Sequence, residues 1–174
     1  MKQIKIAILS DSHRKTTLTK EAIEHLKSKD AQYLVHAGDL EVLENLELLK
    51  NSGLTYVSVF GNNDTRLFEF QQQFNIQHEP YHFSIKDIKI KLMHLPFYMA
   101  PDSHIVISGH THIFEHSYVD DTLFLNPGEI CAREKDLTEC VLLTITDNQY
   151  IIEYNYKKPN AKLWETKIIE YDRK

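Results

Sequence analysis

The chain has 174 residues, of which 42% are hydrophobic and 26% are charged, a composition typical of a globular domain with a sizeable core. The formal net charge of -5 argues against a long nucleic-acid partner, because binding a phosphate backbone normally requires a basic surface. No apolar run approaches the roughly 20 residues that cross a bilayer. We therefore expect a single domain over residues 1–174 and no membrane partner.

Strands and helices alternate in the first half of the chain. Apolar runs predict three buried strands, at residues 3–9, 33–39 and 54–60. One helix is expected after the first strand, with Thr17 as its N-cap, and a second over residues 41–51, ending at Gly53. This alternation favours a parallel sheet with helices on its faces.

The second half of the chain is rich in hairpins instead. Residues 82–94 predict a hairpin that turns near Lys86 and Asp87. Further strands are predicted at 104–108, 122–128, 139–145, 149–156 and 163–171. We therefore predict an α+β fold in which two β-sheets pack face to face with helices outside.

Two features of the chain predict a cytoplasmic protein. Lys2 and Lys5 alternate with apolar residues, as in a strand and unlike a signal peptide. Cys131 and Cys140 lack the spacing of a zinc finger, and we expect two free core thiols rather than a disulfide. Nothing in the sequence decides whether the protein forms a homo-oligomer.

Five polar clusters directly follow predicted strands. They are Asp11-Ser12-His13, Gly38-Asp39, Gly61-Asn62-Asn63-Asp64, Met93-His94 and Gly109-His110-Thr111-His112. Each cluster alone has a simpler explanation as a turn, a cap or a half-buried histidine. Ligand sites in open α/β sheets form outside the carboxyl ends of strands, so the five clusters would meet in one crevice. Carboxylate, amide and imidazole donors without a thiolate suit Mn²⁺, Fe or Zn²⁺, and their number suits two ions.

The series DSH, GD, GNND, H and GHTH, followed by NPG at 126–128, resembles the calcineurin-like metallophosphoesterase superfamily. The closest resemblance is to its small single-domain phosphodiesterases from bacteria and archaea. It implies a sandwich of two β-sheets flanked by helices and a small phosphodiester as substrate. It also implies two divalent ions per chain, with Mn²⁺ favoured over Fe, Zn²⁺ or Ni²⁺.

The resemblance implies a role for each donor. Asp11, His13 and His112 would hold the first ion, Asn62, His94 and His110 the second, and Asp39 would bridge the two. The reaction implied is in-line attack on phosphorus by a metal-bound hydroxide, while the cations offset the charge that builds on the equatorial oxygens. The residues nearest the chemistry would be Asp39, Asn62, Asn63 and His94, with Arg14 and Asn63 contacting the substrate.

Three positions depart from the common family pattern. Asn63 stands where many members have a histidine, and an amide cannot act as a general acid, so we expect diesters to be preferred over monoesters. Leu95 stands where Gly is usual, which would change the shape of the loop after His94. Glu129 stands where Ser is common, and its carboxylate would either repel an anionic substrate or point away from it.

Four further residues have two interpretations each. His36 is expected to pack in the core or to support a ligand through a hydrogen bond, rather than to bind a metal itself. Asp64 would either orient a ligand or cap the helix that follows it. Arg14 would either clamp the substrate phosphate or remain in solvent, and Arg133 is a weaker candidate for the same role. The other histidines are expected to have no role: His25, His78, His82, His104 and His116.

Two other functions compete with the phosphodiesterase. The same fold resembles a eukaryotic endosomal coat subunit that serves as a protein-binding scaffold with a decayed metal site, but this chain keeps all seven ligands. A nuclease would share the chemistry, but the net charge and the lack of an added DNA-binding domain weigh against it.

Overall fold

The computed structural model describes residues 3–173. Within that range, α1 spans Thr16–Ser28, α2 spans Leu43–Asn51, and a short 3-10 helix spans Thr65–Phe70. The strands are β1 (Ile4–Leu9), β2 (Tyr33–His36), β3 (Thr55–Val59), β4 (Ile76–Gln77), β5 (Tyr81–Ile85), β6 (Ile88–Leu92), β7 (Ile105–Ile107), β8 (Phe114–Val119), β9 (Thr122–Pro127), β10 (Thr138–Ile145), β11 (Gln149–Lys157) and β12 (Glu165–Asp172). None of the described helices is long and apolar enough to cross a membrane.

The strands form two mixed sheets. The larger has the order β12-β11-β10-β1-β2-β3-β4, and the smaller has the order β5-β6-β7-β9-β8. β1 to β4 pair in parallel, and so do β6, β7 and β9. The remaining pairings are antiparallel. Parallel neighbours end at the same edge of a sheet, so the loops after β1, β2 and β3 lie side by side.

The main core lies between the two sheets. Ile8, Val35 and Val59 of the larger sheet share one buried cluster with Ile107 and Leu125 of the smaller sheet. A second cluster lies on the outer face of the larger sheet, where it packs against the apolar faces of α1, α2 and the 3-10 helix. The central strands β1 and β2 are thus buried on both faces, which explains their largely apolar sequences, whereas β12 at the edge of this sheet is mostly exposed. The predicted sandwich is confirmed, and its described helices all lie against the larger sheet.

Three details differ from the sequence-based predictions, and a fourth agrees with them. Thr17 lies inside α1 rather than at its N-cap, and Lys15 at that cap makes no side-chain capping bond. The strands β4 and β8 were not predicted. Gly53 has a φ of +79° just after α2, as expected of a helix stop.

Candidate metal centre

All seven predicted ligands lie just beyond the carboxyl ends of five strands from both sheets. The loops after β1, β2 and β3 carry Asp11, His13, Asp39 and Asn62, and those after β6 and β7 carry His94, His110 and His112. Backbone hydrogen bonds join these loops: the Asp11 amide donates to the Gly38 carbonyl at 3.0 Å, and the Gly109 amide donates to the His94 carbonyl at 3.1 Å. The convergence predicted from the sequence is therefore present in the structure.

Asp11, His13 and His112 form one half of this cluster, which we call the first half. All three side chains are buried. His112 Nε2 lies 3.2 Å from Asp11 Oδ1 and 3.5 Å from His13 Nε2, and the two imidazole rings are stacked with centroids 5.3 Å apart. Three potential donor atoms thus surround one small volume.

Asn62, His94 and His110 form the second half. His94 Nε2 lies 2.9 Å from the Asn62 amide oxygen, and the rings of His94 and His110 meet edge to face with centroids 5.1 Å apart. His94 is buried, whereas His110 is exposed. This half is therefore open to solvent on the side of His110.

Asp39 lies between the two halves. Its Oδ2 is 3.8 Å from His13 Nε2, and its Oδ1 is 3.5 Å from His94 Nε2. Asn63 holds this carboxylate in place, since its backbone amide donates to Oδ1 at 2.9 Å and its side-chain amide donates to Oδ2 at 2.7 Å. Each carboxylate oxygen therefore faces a different half of the cluster.

Unusual backbone geometry aims these side chains. Asp11, His13, Asp39, His110 and His112 all have a positive φ, between 46° and 69°. Residues other than glycine rarely adopt this conformation, which concentrates at functional sites. A Cβ at Gly109 would collide with Ser10 Oγ and the Ala37 carbonyl oxygen, so only glycine lets this loop pass close beneath the cluster.

Each buried histidine of the cluster uses its second ring nitrogen to bind a fixed acceptor. His13 Nδ1 lies 2.8 Å from Glu41 Oε1, His112 Nδ1 lies 2.5 Å from Glu129 Oε2, and His94 Nδ1 lies 2.8 Å from the Ala37 carbonyl oxygen. Such contacts fix the tautomer and the orientation of a ligating imidazole and leave Nε2 for the metal. The sequence had not pointed to Glu41 at all.

The sequence suggested that the Glu129 carboxylate would either repel an anionic substrate or point away from it, and the structure shows a third position. Its side chain is fully buried and contacts His112, so it neither faces a substrate nor points away from the site. Burial by itself would raise the pKa of this carboxyl, but the hydrogen bonds from His112 and the Lys135 amide hold the pKa below its usual value. Glu129 is thus an anion behind a predicted ligand.

The charges around His112 favour a cation at this position. Burial by itself would lower the pKa of His112, but its interactions with Asp11, Cys131 and Glu129 raise the pKa to about 11. Asp11 Oδ1 is buried and accepts no hydrogen bond from the residues that the structure describes. A buried carboxylate oxygen needs a compensating partner, and a divalent cation supplies one. The donor set therefore fits metal ions.

Proximity divides the possible metal donors into two groups. One contains His13, His112 and Cys131, and the other contains Asp11, Asp39 and His94. Within each group the donor atoms lie within 4.8 Å of one another. Asp11 is thus close to both halves, although the resemblance assigns it to the first. Cys131 was not predicted near the site, and both cysteines are free and buried, as expected.

Comparisons with known proteins identify the family to which this chain belongs. The calcineurin-like phosphoesterase superfamily domain matches residues 4–148. The chain belongs to this superfamily. A phosphodiesterase from Methanocaldococcus jannaschii is 28% identical over 146 residues, which cover 74% of this chain and 86% of that protein. Superfamily membership supports a phosphoesterase activity in general and implies divalent metal ions.

Solved structures share the fold over nearly the whole chain. A predicted phosphoesterase from Streptococcus pneumoniae has a TM-score of 0.73 and 20% identity, with 99% of each chain covered. Vps29 from Chaetomium thermophilum has a TM-score of 0.77 and 12% identity, with 98% of each chain covered. At these identities the two structures support the fold alone.

Two arginines lie beside the first half of the cluster. The Arg14 side chain is 67% exposed, and its Nε donates to Glu41 Oε2 at 2.9 Å. The Arg133 side chain is 54% exposed, and its Nη2 lies 3.1 Å from His112 Nε2. Both guanidinium groups remain accessible from solvent, and of the two Arg133 lies closer to the predicted ligands.

The other residues considered from the sequence support the loops around the site. His36 Nε2 lies 2.7 Å from Ser12 Oγ, and its full burial lowers the pKa to about 3. Asp64 makes no capping bond to the 3-10 helix, because its carboxylate accepts from the amides of Glu41 and Gly61 at 2.7 and 2.8 Å. The Leu95 amide donates to Glu79 Oε2 at 2.8 Å, so Glu79 fixes the loop that departs from the family pattern.

Proposed function

We propose that this protein is a phosphodiesterase that uses two divalent cations, with Mn²⁺ favoured, to hydrolyse small phosphodiesters in the cytoplasm. In this proposal Asp11, His13 and His112 hold one ion, and Asn62, His94 and His110 hold the other. Asp39 binds both. Long nucleic acids are not the substrate, given the net charge of -5.

The position of Asp39 carries this proposal. Its two carboxylate oxygens lie 3.5 and 3.8 Å from the Nε2 atoms of His94 and His13, which belong to different halves of the cluster. A carboxylate between two sets of nitrogen and oxygen donors is the arrangement that a two-metal site requires. A site for one ion would need only half of these residues.

The protein side chains around the cluster would bind and orient the substrate. Arg14 and Arg133 are exposed guanidinium groups at its rim, suited to bind phosphoryl oxygens. Asn63 keeps Asp39 in place through its two hydrogen bonds, and it adjoins Asn62 of the second half. When bound, the cations supply Lewis acidity that activates water near neutral pH and offsets charge on the phosphoryl oxygens.

Asn63 would set the preference for diesters over monoesters. An amide donates a hydrogen bond but cannot transfer a proton, so the leaving group receives no acid assistance from this position. A diester with an acidic leaving group scarcely needs that proton. A monoester dianion with an alkoxide leaving group needs it most.

A protein-binding scaffold of the same fold is the second candidate. Vps29 from Chaetomium thermophilum shares this fold with a TM-score of 0.77, and the fold alone does not distinguish a scaffold from an enzyme. A scaffold would have no need for seven converging donors or for the positive φ values that aim five of them. The enzyme is therefore the better-supported function, and a nuclease would require a basic surface that the net charge does not indicate.

An activity screen with two proteins tests the proposal. Mn²⁺-loaded wild type and Asp39→Ala are assayed on cyclic nucleotides, dinucleotides and glycerophosphodiesters, and folding of both is checked by circular dichroism. We expect wild type to hydrolyse at least one of these classes and Asp39→Ala to hydrolyse none. Two folded but equally inactive proteins would favour the scaffold, and equal activity would refute the proposed site.

A further inference from the structure

Glu129 lies directly behind the first half of the metal centre, with its two carboxylate oxygens in different environments. Oε1 accepts hydrogen bonds from the backbone amides of Glu134 and Lys135, at 2.8 and 2.9 Å. Oε2 lies 2.5 Å from His112 Nδ1 and accepts from Cys131 Sγ at 3.1 Å. The side chain is 0% exposed, so no water competes for these contacts.

These contacts determine which nitrogen of His112 carries a hydrogen. The ionised carboxylate can only accept, so Nδ1 must donate to it. At Nε2 the ring lies 3.2 Å from Asp11 Oδ1, without a hydrogen bond to it, and 3.1 Å from Arg133 Nη2. Because Nδ1 carries the hydrogen that Glu129 accepts, Nε2 is the nitrogen that faces the other predicted donors of the first half.

The amides that bind Oε1 hold the carboxylate itself in place. Since Glu134 and Lys135 fix one oxygen, the other cannot rotate away from the His112 ring. His94 in the second half has only the neutral carbonyl of Ala37 in the corresponding place. A negatively charged acceptor polarises an imidazole more strongly than a carbonyl and makes Nε2 a better donor to a metal.

We infer that Glu129 is a positioning residue of the metal centre, which holds His112 with Nε2 directed at the first ion and raises the affinity for that ion. The inference rests on the proposed two-ion site. Glu41 performs the same function for His13 from a less buried position, because its side chain is 21% exposed and also binds Arg14.

Glu129→Gln is the most informative variant, since its amide cannot satisfy both environments. If the amide oxygen accepts from Glu134 and Lys135, the NH₂ group faces His112 Nδ1 and favours the tautomer with hydrogen on Nε2. That tautomer cannot bind a metal through Nε2. Asp136→Asn is the matched control, because it removes one exposed carboxylate from the same loop.

The experiment is a calorimetric titration of metal-stripped protein with Mn²⁺. We expect wild type and Asp136→Asn to bind two ions, and Glu129→Gln to bind one of them about 10–100-fold more weakly with the other unchanged. Glu41→Gln should weaken the same ion by a smaller factor. A purely structural role for Glu129 would either leave both affinities unchanged or weaken both equally, and either result overturns the inference.

The outcomes separate this inference from the proposed function. A folded wild type that binds no ion refutes the two-ion site and the inference with it. A wild type that binds two ions, beside a Glu129→Gln variant that matches Asp136→Asn, refutes only the inference. If Glu129→Gln does not fold, Glu129→Asp is titrated instead, since it keeps a carboxylate for the loop amides but shortens its reach to His112. Unchanged binding by that variant would also overturn the inference.

Discussion

The two halves of the metal centre share Asp39 but differ in what lies behind their histidines. In the first half, the carboxylates of Glu41 and Glu129 bind His13 and His112. In the second half, a neutral backbone carbonyl binds His94, and His110 is exposed. One set of superfamily motifs thus forms two neighbouring donor clusters that differ in charge and accessibility.

This difference has consequences for ion binding and for the substrate. Asp11, Glu41 and Glu129 place three carboxylates in or beside the first half, although Asp11 also lies near His94. In the second half, Asn62 offers an amide oxygen beside the shared Asp39, and the Glu79 carboxylate accepts from the backbone amides of His94 and Leu95. Negative charge attracts a cation more strongly, especially where burial lowers the local dielectric. We therefore expect the first half to retain its ion more tightly and the open second half to admit the substrate.

The largest expected effect comes from the residue that both halves share. Asp39→Ala should remove both ions and lower the rate of diester hydrolysis by on the order of 10³-fold or more, because metal ions contribute several kcal/mol to the barrier reduction. Elemental analysis of the purified variant measures the loss. If Asp39→Ala retains two ions per chain, Asp39 does not join the halves.

Removing one histidine from each half should produce unequal losses. An ion present at 100 times its dissociation constant stabilises the folded state by about 2.7 kcal/mol. Because we expect the first half to bind its ion more tightly, His112→Gln should remove more of the Mn²⁺-dependent stabilisation than His94→Gln does. Urea unfolding of each variant with Mn²⁺ and with chelator measures this, so that each variant serves as its own control. Equal losses would contradict the difference between the halves.

Exchanging Asn63 tests the substrate preference expected of the second half. General acid catalysis contributes about 10²–10⁴-fold, and an imidazole not tuned for the task should recover about tenfold on an aryl monoester. Asn63→His should raise monoester hydrolysis more than diester hydrolysis, although it also loses the side-chain hydrogen bond to Asp39. Kinetics on matched nitrophenyl monoester and diester substrates decide this. An equal gain on both would show that Asn63 does not set the preference.

A further expected effect, which does not depend on metal binding, is an acid sensitivity behind the first half. His36 is buried and its pKa is lowered to about 3, against 6.5 in the unfolded chain. As the pH falls below 6.5 the unfolded state takes up a proton that the folded state does not, so stability is lost progressively down to about pH 3. The loss approaches about 1.4 kcal/mol per pH unit.

Unfolding of metal-stripped protein between pH 7 and 4 measures this loss. His36→Gln is the comparison variant, since it keeps a polar group near Ser12 but does not titrate. The difference in unfolding free energy between wild type and His36→Gln should change in favour of the variant as the pH falls. A constant difference would mean that His36 does not take up its proton on unfolding.

Much of the fold and the ligand set could be predicted from the sequence, because both depend on local patterns. Apolar runs marked β1, β2 and β3, and short polar motifs directly followed them. β8 was not predicted, although Phe114 and Tyr118 alternate with polar residues in it. It lies at the edge of the smaller sheet, where these two aromatic side chains are only partly buried against the inter-sheet core, so its apolar pattern is weak.

The partners behind the histidines could not be predicted, because they depend on tertiary contacts. Glu41 lies 28 residues from His13 in sequence, and Glu129 lies 17 from His112. Neither Glu41 nor Glu129 belongs to a sequence motif that indicates which histidine it contacts. Glu129 gave one signal, its place directly after NPG where the family commonly has Ser, but only the structure shows that it binds His112.

Anomalous X-ray diffraction from Mn²⁺-loaded crystals would locate the ions directly. If two ions bind on either side of Asp39, the anomalous map should contain two peaks. One would be bound by Asp11, His13 and His112, the other by Asn62, His94 and His110, with Asp39 contacting both. At limiting Mn²⁺ the first peak should fill before the second. A single peak, or a peak bound by Cys131 Sγ in place of Asp39, would contradict the binding of two ions on either side of Asp39.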